Sequence, residues 1–142
     1  MLRNYYSEAL LAEVRLHRLG AEPSSRIVIP IVLQRMAGIT LGRAVVIAPH
    51  APDRGDAWSR LLFHELVHVV QFHLLGIEAF VSRYAGGWMK NGFRYREIPL
   101  ERDAYELEAR FARNPSDRFS VEAEVRRLLY GSASAIIAGR LR

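Results

Sequence analysis

A chain of 142 residues, with 20 Lys and Arg against 15 Asp and Glu, carries a formal net charge of +5; half of it is hydrophobic and it has no cysteine. The length sets one domain over residues 1–142 as the expectation, with enough apolar content for a real core. The missing cysteines exclude disulfides and leave His and carboxylates as the side chains that could hold a transition metal. Lys90 is the one lysine, and the arginines are scattered among acids, which reads as a solvated surface and gives no nucleic-acid partner.

Residues 2–19 predict an amphipathic helix, because Leu2, Tyr5, Tyr6, Ala9, Leu10, Leu16 and Leu19 recur at helical spacing and Gly20 suits a C-terminal cap. His17 falls in its last turn as a structural or surface residue. Glu8, Glu13 and Arg15 interrupt the apolar run that a signal peptide needs, and no 18 apolar residues follow one another, so no membrane span is expected. The cytoplasm is the default location, and export by a leaderless route stays open. After a turn-like linker, residues 26–29 predict a strand that ends at Pro30. Residues 39–41 and 44–48 predict two more, turning at Gly42-Arg43. The last of these, 44–48, is the expected open edge for an extended peptide, and His50 follows in a surface loop.

Asp56 caps a central helix predicted over 57–75, closed by Gly76. Leu61, Leu62, Phe63, Leu66, Val67, Val69, Val70, Phe72, Leu74 and Leu75 surround it with apolar side chains, which marks a buried helix. Within it stands His64-Glu65-Leu66-Val67-His68. Residues four apart share a helix face about 6 Å apart along the axis, so two imidazoles can meet one metal ion. Burying His64, Glu65 and His68 without partners would be costly, and a metal removes that cost. This H-E-x-x-H spacing is that of zinc hydrolases, with the Glu as general base toward a water whose pKa zinc lowers to about 7. His73, nine positions after His64, points about 180° away on the wheel and is a poor ligand.

A short helix follows over 77–85, ended by Gly86-Gly87. An aromatic, glycine-broken loop spans 88–97. Pro99 opens a helix running to about 112, and Ser120 caps another over 121–130, with a short helix or frayed end over 132–142. Catalytic zinc takes three protein ligands and keeps one position open. The metzincin extension is excluded because Gln71 and Leu74 stand where Gly and His would be needed. The third ligand is therefore sought among Glu101, Glu106 and Glu108. Glu106 lies on the solvated side with Arg102, Asp103 and Arg110. Glu101 and Glu108 border the apolar face of Leu100, Ala104, Leu107 and Phe111. Glu101, one turn before the small Ala104, ranks first and Glu108 second.

His64 to His68 followed by Glu101-Arg102-Asp103-Ala104-Tyr105 resembles the gluzincins, which join H-E-x-x-H to a downstream E-x-x-[AS]-D. The string HELVHVVQ preceded by ITLGRAVVI more closely resembles the minimal metallopeptidase-like core domain of bacterial extracellular contractile injection systems. The resemblance covers about 39–111. It implies a zincin fold, Zn2+, His64, His68 and Glu101 as ligands and Glu65 as catalytic base. Tyr105 stands where the pattern has the Asp that orients a ligand histidine. A phenol there could orient the ring or act as an oxyanion donor. Tyr84 and Tyr95 are further oxyanion candidates.

The expected fold is α+β and zincin-like: a small two- or three-stranded sheet packed on the central helix, with further helices completing the site. The expected activity is that of a zinc metallopeptidase, a hydrolase acting on a peptide or protein. The alternative is a non-catalytic zincin domain in which a structural metal site supports partner binding. A basic nucleic-acid module with an incidental HELVH ranks last. Substrate and oligomeric state are not legible in the chain.

Overall fold

The computed structural model describes residues 1–20, 36–92, 94–114 and 116–139, with side chains of the last helix described as far as Gly131. The strand expected over 26–29 lies outside them. The chain runs through a 3-10 turn at Leu2–Asn4, α1 (Glu8–Glu13), β1 (Arg15–Arg18), β2 (Gly38–Leu41) and β3 (Ala44–Ile47). It continues through α2 (Gly55–Lys90), a second 3-10 turn at Tyr95–Glu97, α3 (Pro99–Arg113) and α4 (Val121–Gly139). This is an α+β arrangement with one small mixed sheet.

The helix expected over 2–19 is overturned. Ser7 caps α1 by accepting from the Leu10 amide, but Val14 is already extended and residues 15–18 form β1. The apolar periodicity is genuine only up to Leu10: Tyr5, Tyr6 and Leu10 are buried, whereas Leu16 is 48% exposed. Beyond that point β3 offers a ladder of backbone partners, Arg15 opposite Ala44 through Arg18 opposite Ile47 in parallel. Those hydrogen bonds override a helical spacing that no longer buries anything. Arg18 locks the strand by donating to the carbonyls of Ala51 at 3.2 Å and Pro52 at 2.8 Å. His17 therefore sits exposed on a strand, not at a helix end.

The sheet order is β1-β3-β2. β2 and β3 form the expected hairpin, antiparallel, with Ile39 opposite Val46. The expectation that residues 44–48 present an open edge fails, because β3 is the central strand and both its sides are paired. Among the described residues the edges of the sheet are β1 and β2, and β2 lies against α2.

Every residue from Phe63 to Phe72 is buried, as an all-round apolar helix requires. By length and composition α2 could cross a membrane, yet half of its most apolar window is buried inside this fold, the mark of a core helix. Phe63 anchors the core: it stacks on Phe111 of α3 at 4.4 Å and meets Tyr5 edge-on at 5.6 Å. The Tyr6 hydroxyl donates to the Phe63 carbonyl at 2.7 Å. Arg110 of α3 ties the α3–α4 connection to the core by pairing with Asp117 and Glu124 and lying 3.9 Å over the Phe119 ring.

The break expected at Gly76 is present, with φ 75° and ψ 165° inside α2. The helix then resumes and passes Gly86-Gly87 to Lys90 without a stop. α3 starts with Pro99 at its first position, and Ser120 caps α4 by accepting from the Ala123 amide at 3.2 Å. α4 continues to Gly139 as one helix. At Gly76 an added Cβ would meet nothing within 4 Å, so its need for glycine is purely one of backbone conformation. Gly76→Ala should therefore destabilise the protein by about 1–3 kcal/mol, the usual cost of forcing a side chain into that region, measured by urea unfolding; an unchanged midpoint would contradict the reading.

Candidate metal centre

α2 delivers His64 and His68 one turn apart on one face, and α3 brings Glu101 to meet them. The two Nε2 atoms lie 3.1 Å apart. Glu101 Oε2 is 3.3 Å from His64 Nε2, and Glu101 Oε1 is 3.4 Å from His68 Nε2. The three side chains are 6%, 5% and 2% exposed, so the site is buried. Ala104, fully buried beside Glu101, is small enough to let α3 approach. Among the described residues this trio could hold a metal ion.

The orientation of each ring is held from outside. His64 Nδ1 lies 3.2 Å from Glu108 Oε2, and Glu108 in turn accepts from Arg60 Nε at 2.9 Å. His68 Nδ1 lies 2.8 Å from Gln71 Oε1, while Gln71 Nε2 donates to the Leu100 carbonyl at 2.9 Å. Acceptors at both Nδ1 atoms set the tautomer in which Nδ1 carries the proton. Nε2 of each ring is then the nitrogen left to face Glu101 and to serve as a metal donor, as metal-ligating histidines require. Glu108, second choice for ligand from the sequence, instead orients a ligand candidate. On α3 it lies two turns from Glu101 on nearly the same face.

The electrostatics follow from this crowding. Burial would lower the His64 pKa, but hydrogen bonds to Glu101 and Glu108, with the charges of Glu101 and Glu65, carry it up to about 9. Burial would raise Glu101, yet hydrogen bonds with His64 and His68 hold it far below the usual carboxylate range. Without a cation at the centre, a proton on His64 compensates the buried carboxylates. A metal ion would take over that role and release the proton.

Glu101 has a further partner in Tyr84, whose hydroxyl donates to Oε1 at 2.9 Å, and the Tyr95 ring meets that of Tyr84 edge-on at 6.4 Å. Burial, then the Glu101 charge, raises both phenols well above their ordinary pKa, so they remain neutral donors.

Glu65 leaves the histidine pair and turns toward the sheet. The Thr40 hydroxyl of β2 lies 2.7 Å from Glu65 Oε2. Gly38 of the same strand permits the approach: a Cβ there would stand 2.7 Å from Glu65 Oε1. Tyr105 packs its ring against His64, with centroids 4.6 Å apart, and lies under the Arg96 guanidinium at 5.1 Å. The hydrogen bond that would orient His64 runs to Glu108, not to Tyr105. His73 and His50 are exposed, away from this cluster.

Thr40, Gln71 and the orienting role of Glu108 escaped the sequence reading. Gln71 was detectable, since a lone amide three positions after His68 shares its face in an otherwise apolar helix. Thr40 carried no signal, because strand pairing alone brings it to Glu65.

Glu101→Ala should abolish stoichiometric metal binding, whereas Glu108→Ala and Gln71→Leu should retain one ion per chain with affinity about 10–100-fold weaker. Chelator competition measures both; equal loss in Glu101→Ala and Glu108→Ala would refute the division into ligand and orienting residue.

Comparisons with protein-family models, curated proteins and solved structures find no match, so the functional reading rests on the geometry of this centre.

Proposed function

We propose that the chain is a zinc-dependent metallopeptidase of zincin type, with His64, His68 and Glu101 as ligands and Glu65 as general base. The observation that supports this most is the convergence of two Nε2 atoms, 3.1 Å apart, with Glu101, whose Oε2 lies 3.3 Å from His64 Nε2 and whose Oε1 lies 3.4 Å from His68 Nε2. Tetrahedral zinc with bonds of about 2.0–2.1 Å needs donors about 3.3 Å apart. Two imidazoles with one carboxylate also suit iron; the neighbouring base and the closeness to tetrahedral spacing favour zinc.

When bound, zinc supplies a Lewis acid that polarises a carbonyl and lowers the pKa of water to about 7. The protein residues do the rest. Thr40 engages Glu65 Oε2 and holds the carboxylate assigned to take the proton of the attacking water. Glu65 then passes that proton to the leaving amine. β2, the strand that carries Thr40 and Gly38, has no strand on its outer side among the described residues, and an extended peptide would add there beside the base.

A non-catalytic, partner-binding reading draws on a different surface. Ile77, Val81 and Trp88 are 68%, 54% and 46% exposed, and their spacing places them on one side of the helix after Gly76.

In the zinc-replete protein, Glu65→Gln should lower peptide hydrolysis by about 10²- to 10⁴-fold, as for loss of a general base, while zinc content stays at one per chain. Turnover in a varied peptide library, followed by mass spectrometry, checks this. Undiminished cleavage by Glu65→Gln would refute the assigned base, and a wild type that binds zinc but cleaves nothing would favour the partner-binding reading.

A further inference from the structure

A carboxylate ligand can offer a metal one oxygen or two. With both, the centre would hold four protein donors, and the open position that catalysis needs would be crowded. The surroundings of Glu101 bear on that choice. Its Oε1 accepts from the Tyr84 hydroxyl at 2.9 Å, and Tyr95 packs its ring against that of Tyr84. The two tyrosines come from separate elements: Tyr84 from α2 beyond the Gly76 break, Tyr95 from the 3-10 turn ahead of α3. Their rings meet edge-on at 6.4 Å, and Tyr84 continues a stack through Phe80 at 5.8 Å to Phe72, itself 3.6 Å from Phe80.

Packing alone does not call for phenols here. Phenylalanine would complete the same stack, and a hydroxyl donated to a buried carboxylate needs a polar reason. The carboxylate is 2% exposed, so its oxygens are largely withdrawn from bulk solvent.

We propose that Tyr84, with Tyr95 packed against its ring, forms a clamp that occupies Glu101 Oε1 and restricts the carboxylate to single-oxygen ligation through Oε2, keeping the fourth coordination position open. Both are positioning residues, acting through Glu101. The Tyr84 hydroxyl faces the ligand, in contrast to the oxyanion role considered from sequence. The proposal rests on the metal-centre reading and adds to it a cause for the coordination number. It also accounts for the Gly76 break, which lets one helix supply both histidines and then the phenol that restrains their co-ligand.

Cobalt(II) in place of zinc tests this without any activity assay, because four-coordinate cobalt absorbs visible light more strongly than five-coordinate cobalt. The wild type should bind one cobalt per chain with an intense band. Tyr84→Phe/Tyr95→Phe should keep one cobalt but show a weaker band, as the released oxygen joins the ion. Circular dichroism and thermal melting confirm folding, and the single variants serve if the double variant does not fold. A band in folded Tyr84→Phe and Tyr95→Phe variants identical to that of the wild type would overturn the clamp and leave the metal centre standing. A weak, five-coordinate band in the wild type would do the same. A wild type that binds no cobalt or zinc would overturn the metal centre and the clamp together.

Discussion

Three ionisable side chains buried against one another are the constraint on which the rest of this structure depends. A carboxylate 2% exposed, facing two imidazoles 5–6% exposed, is tolerable only when charge and hydrogen bonds are balanced around it. The balance is complete among the described residues, where no buried side-chain polar atom lacks a partner. Glu108 and Gln71 take the outward nitrogens of the two rings, and Tyr84, with Tyr95 packed against it, meets the carboxylate. What the ring of partners leaves at its centre is two Nε2 atoms and a carboxylate facing one another, a group that could hold a cation.

Much of the backbone follows from holding that arrangement. α3 must run close to α2, and Ala104 allows it. Leu100 contributes its carbonyl to Gln71 as well as its side chain to the core, so the start of α3 is tied to the His68 turn. The Phe63–Phe111 stack fixes the same two helices farther along. On the opposite side, β2 comes so near Glu65 that Gly38 has no room for a side chain. The small sheet thus serves as the wall from which Thr40 restrains the acid.

One helix performs two jobs because it is broken. Up to residue 75 it carries the two histidines in the interior; past Gly76 it runs beside the site, sends Tyr84 inward and leaves Ile77 and Val81 toward solvent. Glycine is needed there for its dihedral angles, and at Gly38 for its size. Those are different physical reasons for the same residue type.

The sequence by itself determined the chemistry of the centre and the helices that carry it. The H-E-x-x-H spacing puts two rings on one face by helix geometry alone, the apolar surroundings force that face inward, and amphipathic periodicity ranks Glu101 above Glu106. Pro99, Ser120 and Gly76 mark helix boundaries through local stereochemistry, which needs no distant partner. Tertiary structure decided what depends on contacts between remote segments. Residues 15–18 became a strand because β3 offered backbone partners, and β3 became central instead of an edge for the same reason. Thr40, Glu108 and the tyrosines acquired their roles when separate elements met around Glu65, His64 and Glu101. Such roles depend on where a side chain ends up in space, which spacing along the chain does not encode.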